Sequence, residues 1–568
     1  PRAGVFPHVF FDFAQGLESD YRQRWIWRWR LVPSDKEAYL DGELVEPEEP
    51  IVYYLDPGIR EPYRSAFIEG GEWWNEAFEA AGFKNAFQIR DLPADADPMD
   101  ARYSVIHWVH RRERGPSIGP HYRDPRTGEI INVVVRMDSF RSLVNHDIWM
   151  GFRPAAGENE LALDSEEMAM ARRRQHSAHE IGHTLGLAHN FIAASDGRAS
   201  VMDYPVPLVK LDVDGGLDIS EAYSPTFGKH DELAIRYAYT WYPDADAERK
   251  GLEAIVDEMR EDDLRFITGD DSAVEGSYPD ATRWVEGTDM RDALKRTMEV
   301  RRLLIDSFDE RALDAGEPYS LLNKRFAHVY LHHRTALHGV TKFIGGMEFS
   351  YALKGEGIEP TRAVPAQDQK EALELLMTAL EPEALHVPDR VAEQIPPTPF
   401  GWDDGWQWQG EDTLIPSPAG PMFEPVTVGH SLAQEIVDNL LHPERMARVA
   451  SQHARDRDKP SPGGVLDGLI EQAWEEHKDY PELRRAVQRA VTDAMLDLAG
   501  NENATAEVRS VLESRLRKVK EAAHPGDRRG TPDAAHGLRI ARDIDRYFEG
   551  EDDPERRPRP EPIPLPWP

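Results

Sequence analysis

Residues 164–190 read Asp-Ser-Glu-Glu-Met-Ala-Met-Ala-Arg-Arg-Arg-Gln-His-Ser-Ala-His-Glu-Ile-Gly-His-Thr-Leu-Gly-Leu-Ala-His-Asn. Asp164 followed three positions later by Glu167 is an N-cap signature, and good helix formers follow it. On that helix His179 and His183 are four apart and project from one face, a spacing that lets two imidazoles hold one Zn²⁺. Gly186 can take the left-handed conformation that ends the helix and turns the chain back, so that His189 supplies a third nitrogen. Three protein ligands leave one position open for water, which separates a catalytic zinc from a structural one. Glu180 lies beside the metal without having to ligate it. It is the candidate general base for the water and the candidate acid for a leaving amine.

Working outward, His179-Glu180-x-x-His183-x-x-Gly186-x-x-His189 resembles the signature of the metzincin zinc endopeptidases. The resemblance implies a Met-turn, a tight loop whose methionine packs beneath the metal, and Ser200-Val201-Met202-Asp203-Tyr204-Pro205 fits it with Met202 as that residue. Tyr204 matches the tyrosine that astacin-like and serralysin-like members place near zinc, which implies a ligand of the resting metal and an oxyanion partner. Residue 190 is Asn where astacins have an acid that receives the matured N-terminus, so that activation latch is not carried over. Ile51 to Ala86, Tyr103 to Asp138 and Trp284 to Gly346 resemble a bacterial family of zinc-dependent metalloproteases with a Met-zincin domain. That resemblance implies a secreted or periplasmic, cell-envelope enzyme. The chain starts at Pro1 without a signal-peptide pattern, so a processed or truncated form is expected.

The remaining pattern predicts an α+β catalytic unit followed by a large helical region. Trp25, Trp27, Trp29 and Leu31 alternate as a half-buried strand, and the acidic run 41–50 reads as a linker closing a segment 1–50. The protease unit is expected over 51–245: a strand at Ile51–Leu55, a long helix over about 61–81 capped by Gly82, a strand at 103–109, and a hairpin of 117–122 with 130–136. Helical spacing of Val300, Leu304 and Phe308, of Leu373, Leu376, Met377 and Leu380, and of residues 483–498 predicts the helical region 246–550. A Pro/Trp-rich interruption falls at 394–426, and a Pro-rich, extended tail at 551–568. An extended substrate on a metzincin edge strand points to Ser117, Ile118 and Gly119, with Val206 and Pro207 walling a specificity pocket.

Composition sets limits. The 103 acidic and 67 basic residues give a net charge of −36, which disfavours nucleic acid and anionic membrane surfaces as partners. No apolar run is long enough for a membrane span. No cysteine is present, so thiolate nucleophiles and Cys-ligated metals are excluded. The metzincin resemblance implies a protein or peptide as the substrate. An amidase with a narrower substrate and a non-catalytic scaffold are the alternatives, the latter disfavoured by the intact Glu180. Lesser signals take plain readings. His176 is a satisfied polar side chain, and His328 and His332 lack a third ligand. The stretch Asp212–Asp218 hints at calcium but lacks the full EF-hand pattern and reads as a hairpin turn. Arg172 to Arg174 are solvated helix residues, and Trp402, Trp406 and Trp408 pack in a loop.

Overall fold

Alternating aromatics near the start of the chain do form a strand, but it lies further toward the N-terminus than the tryptophan periodicity predicts. β1 (Pro7–Phe11) pairs antiparallel with β2 (Arg22–Ile26), and the pairing stops there. Trp27 and Trp29 leave the hairpin because they have other partners: the Trp27 N–H donates to the Phe6 carbonyl at 3.0 Å, and the Trp29 indole donates to the Thr184 carbonyl at 3.0 Å. The computed structural model describes residues 3–16, 18, 20–111, 115–157, 160–402, 413–476, 479–524, 530–554, 557 and 559–564.

After the short α1 (Lys36–Leu40), the acidic stretch 41–50 is tied down, with Val45 buried and exchanging backbone hydrogen bonds with Gly82 and Lys84. β3 (Ile51–Leu55) buries every second side chain, Ile51, Tyr53 and Leu55. α2 (Tyr63–Ala80) follows, and then β4 (Phe87–Asp91), which returns parallel to β3. β5 (Ser104–Val109), β6 (His121–Arg123) and β7 (Ile130–Asp138) complete a sheet in the order β4-β3-β5-β7-β6, in which β6 alone is antiparallel. α3 (Phe140–Phe152) and α4 (Ser165–Thr184) come next. Phe67, Trp74 and Phe78 of α2 and Ala178 and Ile181 of α4 share one core with the sheet, so the sheet and α2 form a rigid backing for α4.

Beyond α4 a small hairpin, β8 (Lys210–Leu211) and β9 (Leu217–Asp218), encloses the acidic stretch considered for calcium. Asp212 Oδ1 there accepts the N–H groups of Asp214 and Gly216, each at 2.8 Å, as a turn-forming Asp does. α5 (Lys229–Tyr239) leads into a mostly helical stretch with α6 (Ala245–Glu261), α7 (Met290–Ser307), α8 (Leu321–Tyr330) and α9 (Arg334–Thr341). The periodicities at 373–380 and 483–498 fall on helices Ala366–Ala379 and Pro481–Gly500. A second core runs through this region and takes in Val144, Ile148 and Phe152 of α3 and Met168 of α4. The two halves are thus joined through α3 and α4.

The described residues of the Pro-rich tail do not stand away from the protein. Arg557 and Arg559 both pair with Asp497, the Ser431 hydroxyl donates to the Glu561 carbonyl at 2.9 Å, and Ile563 is buried, because the tail's arginines meet acidic groups on the helical surface. Trp402 is about half exposed, while Trp406 and Trp408 lie outside the described residues. Among the described residues no helix is long and apolar enough to cross a membrane.

Candidate metal centre

α4 begins with a complete capping box: Asp164 Oδ1 accepts the Glu167 N–H at 2.8 Å, and Glu167 Oε2 accepts the Asp164 N–H at 2.9 Å. The helix runs to Thr184, and Gly186 then takes φ +96°, a left-handed conformation that a side chain resists. A Cβ at Gly186 would also run into the Trp27 carbonyl. The turn reverses the chain and brings His189 to His179 and His183, with one ligand atom of each lying within 4.8 Å of the others. Backbone pairing holds the returning strand, since Ala188 N–H donates to Gly4 O and Phe6 N–H to Gly186 O, each at 2.8 Å.

Hydrogen bonding decides which ring nitrogens are available. His179 Nδ1 lies 2.7 Å from the Val201 carbonyl and His183 Nδ1 lies 2.9 Å from the Leu187 carbonyl. A carbonyl only accepts, so both Nδ1 atoms carry the proton and both Nε2 atoms present bare lone pairs. His183 Nε2 is 3.1 Å from His189 Nε2. Burial lowers the affinity of these rings for protons, His183 to about 4 and His189 to about 2, and His179 lies well below the ordinary histidine value for the same reason. Converging lone pairs that refuse protons are a donor set for a cation, and three imidazoles suit Zn²⁺.

Below the rings the loop 200–202 is clamped by Asp231. Its carboxylate accepts the Ser200 hydroxyl, the Val201 N–H at 2.7 Å and the Gly228 N–H at 3.0 Å. Met202 is buried, with its thioether against the backbone of Gly182 between the two helical histidines. Glu180 is buried beside the triad, and His176 Nε2 sits 3.3 Å from its Oε1. Burial raises the Glu180 carboxyl to about 7, against the opposing pull of Arg141 and Arg172. The Tyr204 ring lies 4.7 Å from His189 and 5.5 Å from His179, and it stacks on Trp284 at 4.8 Å.

A family model described as Met-zincin matches residues 162–480, more than half of the chain and including His179, Glu180, His183, His189, Met202 and Tyr204. The chain belongs to the Met-zincin family. No curated protein and no solved structure matches it. In this Met-zincin the residues anticipated around the centre divide into two groups. Glu180, Tyr204 and Ser117 line one cleft of about 380 Å³, together with His176, His179 and Trp284. Val206 and Pro207 instead line a separate cavity of about 60 Å³ with Phe152, His328 and His332. His328 and His332 face that cavity with no third metal-ligating group among the described residues close enough to complete a site.

Ile118 exchanges both backbone hydrogen bonds with Arg136, at 3.1 and 2.9 Å, so the strand of 117–122 runs along β7 as read. The run is interrupted at Pro120, which has no N–H. Gly119 lies directly on α4, where a Cβ would meet the Glu180 carbonyl at 2.7 Å. Two readings need correction. Arg172 and Arg173 are not solvated: both are buried, because α3 packs over this face of α4, and the Arg173 guanidinium donates to Ser142 Oγ at 2.7 Å. His176 is not a fully satisfied polar side chain but lines the cleft: its Nε2 faces Glu180 and has no hydrogen-bond partner. Asp231 and Trp284 carry no motif or periodic signal in the sequence. Trp284 adopts φ +60° and donates its N–H to the Tyr204 carbonyl at 2.9 Å, a contact that spans 80 residues and leaves no local trace.

Proposed function

We propose that this Met-zincin is a zinc metallopeptidase that hydrolyses peptide bonds of proteins or peptides, with Glu180 as general base and acid. The observation that carries the reading is the convergence of His183 Nε2 and His189 Nε2 beside a buried carboxylate that does not join them. His179, His183 and His189 would hold the ion, and zinc supplies Lewis-acid chemistry, acidifying a water and polarising a carbonyl. Glu180 takes a proton from the attacking water and returns it to the leaving nitrogen. Burial raises the proton affinity of its carboxyl, which suits the return of that proton to the leaving nitrogen. Met202 and its loop form the Met-turn, which supports the ligands from below. Tyr204, with a hydroxyl kept protonated by burial, is a hydrogen-bond donor to the developing oxyanion. The backbone groups of Ile118 are directed to β7, so alternation turns those of Ser117 and Gly119 outward, where an extended substrate can pair with them.

The test is digestion of a proteome-derived peptide library by the full chain and by Glu180→Gln, with zinc content measured on both. Glu180→Gln is expected to keep its metal and to lose at least about 100-fold in kcat/KM, the usual weight of a general base. Cleavage by the variant at the wild-type rate would remove Glu180 from the mechanism. A zinc-loaded wild type that cleaves nothing would overturn the peptidase reading itself.

A further inference from the structure

Arg173, His176 and Glu180 fall at spacings of three and four on α4, and all three side chains are buried. Resting on the peptidase reading above, we propose that His176 is a positioning residue for the general base. Arg173 holds its Nε2–H toward Glu180 Oε1, and that proton fixes the direction in which the carboxyl meets the attacking water.

Three observations carry this. The first is the state of the ring. Arg173 Nη1 lies 3.4 Å from His176 Nδ1, and a guanidinium only donates, so Nδ1 accepts. Burial, with the guanidinium groups of Arg141, Arg172 and Arg173 close by, keeps the ring well below the ordinary histidine value and neutral. A neutral imidazole whose Nδ1 accepts carries its one proton on Nε2.

The second is what that proton faces. His176 Nε2 stands 3.3 Å from Glu180 Oε1, within reach of a hydrogen bond but not aligned as one, and it has no hydrogen-bond partner elsewhere. Contacts of catalytic groups are often poorly aligned in an empty site and tighten when substrate enters. Glu180 Oε2 is buried and likewise without a partner, so the contact with His176 is what can set the plane of the carboxyl. The third is the rigidity behind the ring. Arg173 Nε donates to Ser142 Oγ at 2.7 Å and its Nη2 to the Ser139 carbonyl at 3.2 Å, both at the start of α3. α3 thereby sets the tautomer of a side chain on α4.

A carboxyl free to turn about its last bond offers its lone pairs in many directions. Holding one oxygen narrows these to the alignment that a general base needs. The proton on Nε2 stays there throughout. Oε1 accepts it both when Glu180 is ionised and when Oε2 carries the water's proton, so the contact lasts until that proton passes to the leaving nitrogen.

Zinc-loaded full-chain His176→Leu, His176→Asn and His176→Gln are assayed on a peptide that the wild type cleaves. Leu has no donor and Asn is too short to reach Glu180, whereas Gln sets an amide N–H close to the place of Nε2. Leu and Asn are expected to lower kcat about 10-fold or more with KM and zinc content held within about twofold, and Gln to recover most of that loss. Repeated in Glu180→Gln, His176→Leu should cost less than about twofold further, since no base is left to position. Asn and Gln keep an acceptor for Arg173, so their comparison stays decisive if Leu fails to fold. Wild-type kcat in Leu and Asn, a loss carried by KM, or an equal loss in both backgrounds overturns the assignment.

A second measurement needs no cleavage. Nuclear magnetic resonance of zinc-loaded protein carrying isotope-labelled histidine reads the His176 ring, identified by the signals missing from His176→Gln. The Nε2–H tautomer is expected, and its proton should shift in Glu180→Gln. The Nδ1–H tautomer, or a proton indifferent to residue 180, overturns the positioning role whether or not the wild type cleaves. A shifted Nε2–H proton in a wild type that cleaves nothing leaves the contact standing and overturns the peptidase reading alone.

Discussion

The three imidazoles have a pH signature distinct from that of surface histidines. An ordinary histidine near 6.5 begins to lose a metal to protons just below neutrality. Here burial lowers the folded value, to about 4 for His183 and about 2 for His189, and a lowered value means that protonation requires a more acidic solution. Zinc content after dialysis against a weak chelator should therefore stay flat from pH 8 to about 5 and fall as pH drops through about 4. Release centred near 6.5 would show that the rings are not desolvated as described. Asp231 offers a second test at this scale. It touches none of the three histidines, but its carboxylate fixes the Val201 N–H, and the Val201 carbonyl orients His179. Such outer contacts commonly carry ten- to hundredfold in metal affinity. Asp231→Ala should weaken zinc binding in a chelator competition by at least about 10-fold. Unchanged affinity in a folded variant would make the clamp irrelevant to the centre.

At the scale of elements, the centre depends on how α4 stops. A helix continued beyond Thr184 would carry His189 away from His179 and His183, and the left-handed Gly186 prevents this. Gly186→Ala adds the cost of φ +96°, about 1 kcal/mol, to a collision with the Trp27 carbonyl that requires the N-terminal segment to move. The variant should melt at a lower temperature by calorimetry and bind zinc more weakly. Retention of both properties would mean that the turn tolerates another geometry. This part of the fold is legible in the sequence because its determinants are local: His179 through His189, the glycine and the capping box all lie within one short run. The strand Ile51–Leu55 and the helix before Gly82 are legible for the same reason. β4 is not, because Phe87–Asp91 shows a strand pattern on its buried end only. The tryptophan alternation misleads because Trp27 and Trp29 are extended for long-range contacts with Phe6 and α4, rather than for sheet pairing.

At the scale of the molecule, what the sequence hides is what the cleft borrows from distant segments. The burial of Arg172 depends on α3, the position of Trp284 on a connection ahead of α7, and the fixing of the loop at Met202 on α5. None of these has a periodic or motif signature, since each is a contact between parts of the chain far apart in sequence. The same borrowing argues against a catalytic unit that ends near residue 245. Val144, Ile148, Phe152 and Met168 are buried in a core shared with α7 to α9. Asp147 of α3 pairs with Lys324 at 2.7 Å and lies 3.5 Å from the Arg325 guanidinium on α8. Removing the helical region would expose those four apolar side chains, at ~1.5–3 kcal/mol each, and would leave Asp147 without its partners. The sum, roughly 6–12 kcal/mol, is comparable with the whole stability of a typical domain at ~5–15 kcal/mol. A fragment ending at residue 245 should accordingly lack cooperative unfolding by circular dichroism and should not retain stoichiometric zinc, whereas the full chain should show both. A fragment that melts cooperatively and holds one zinc would show that the sheet and α4 stand without the helices. The Met-zincin match runs through the zinc motif and on past residue 245 to residue 480, and the connection ahead of α7 gives the cleft Trp284.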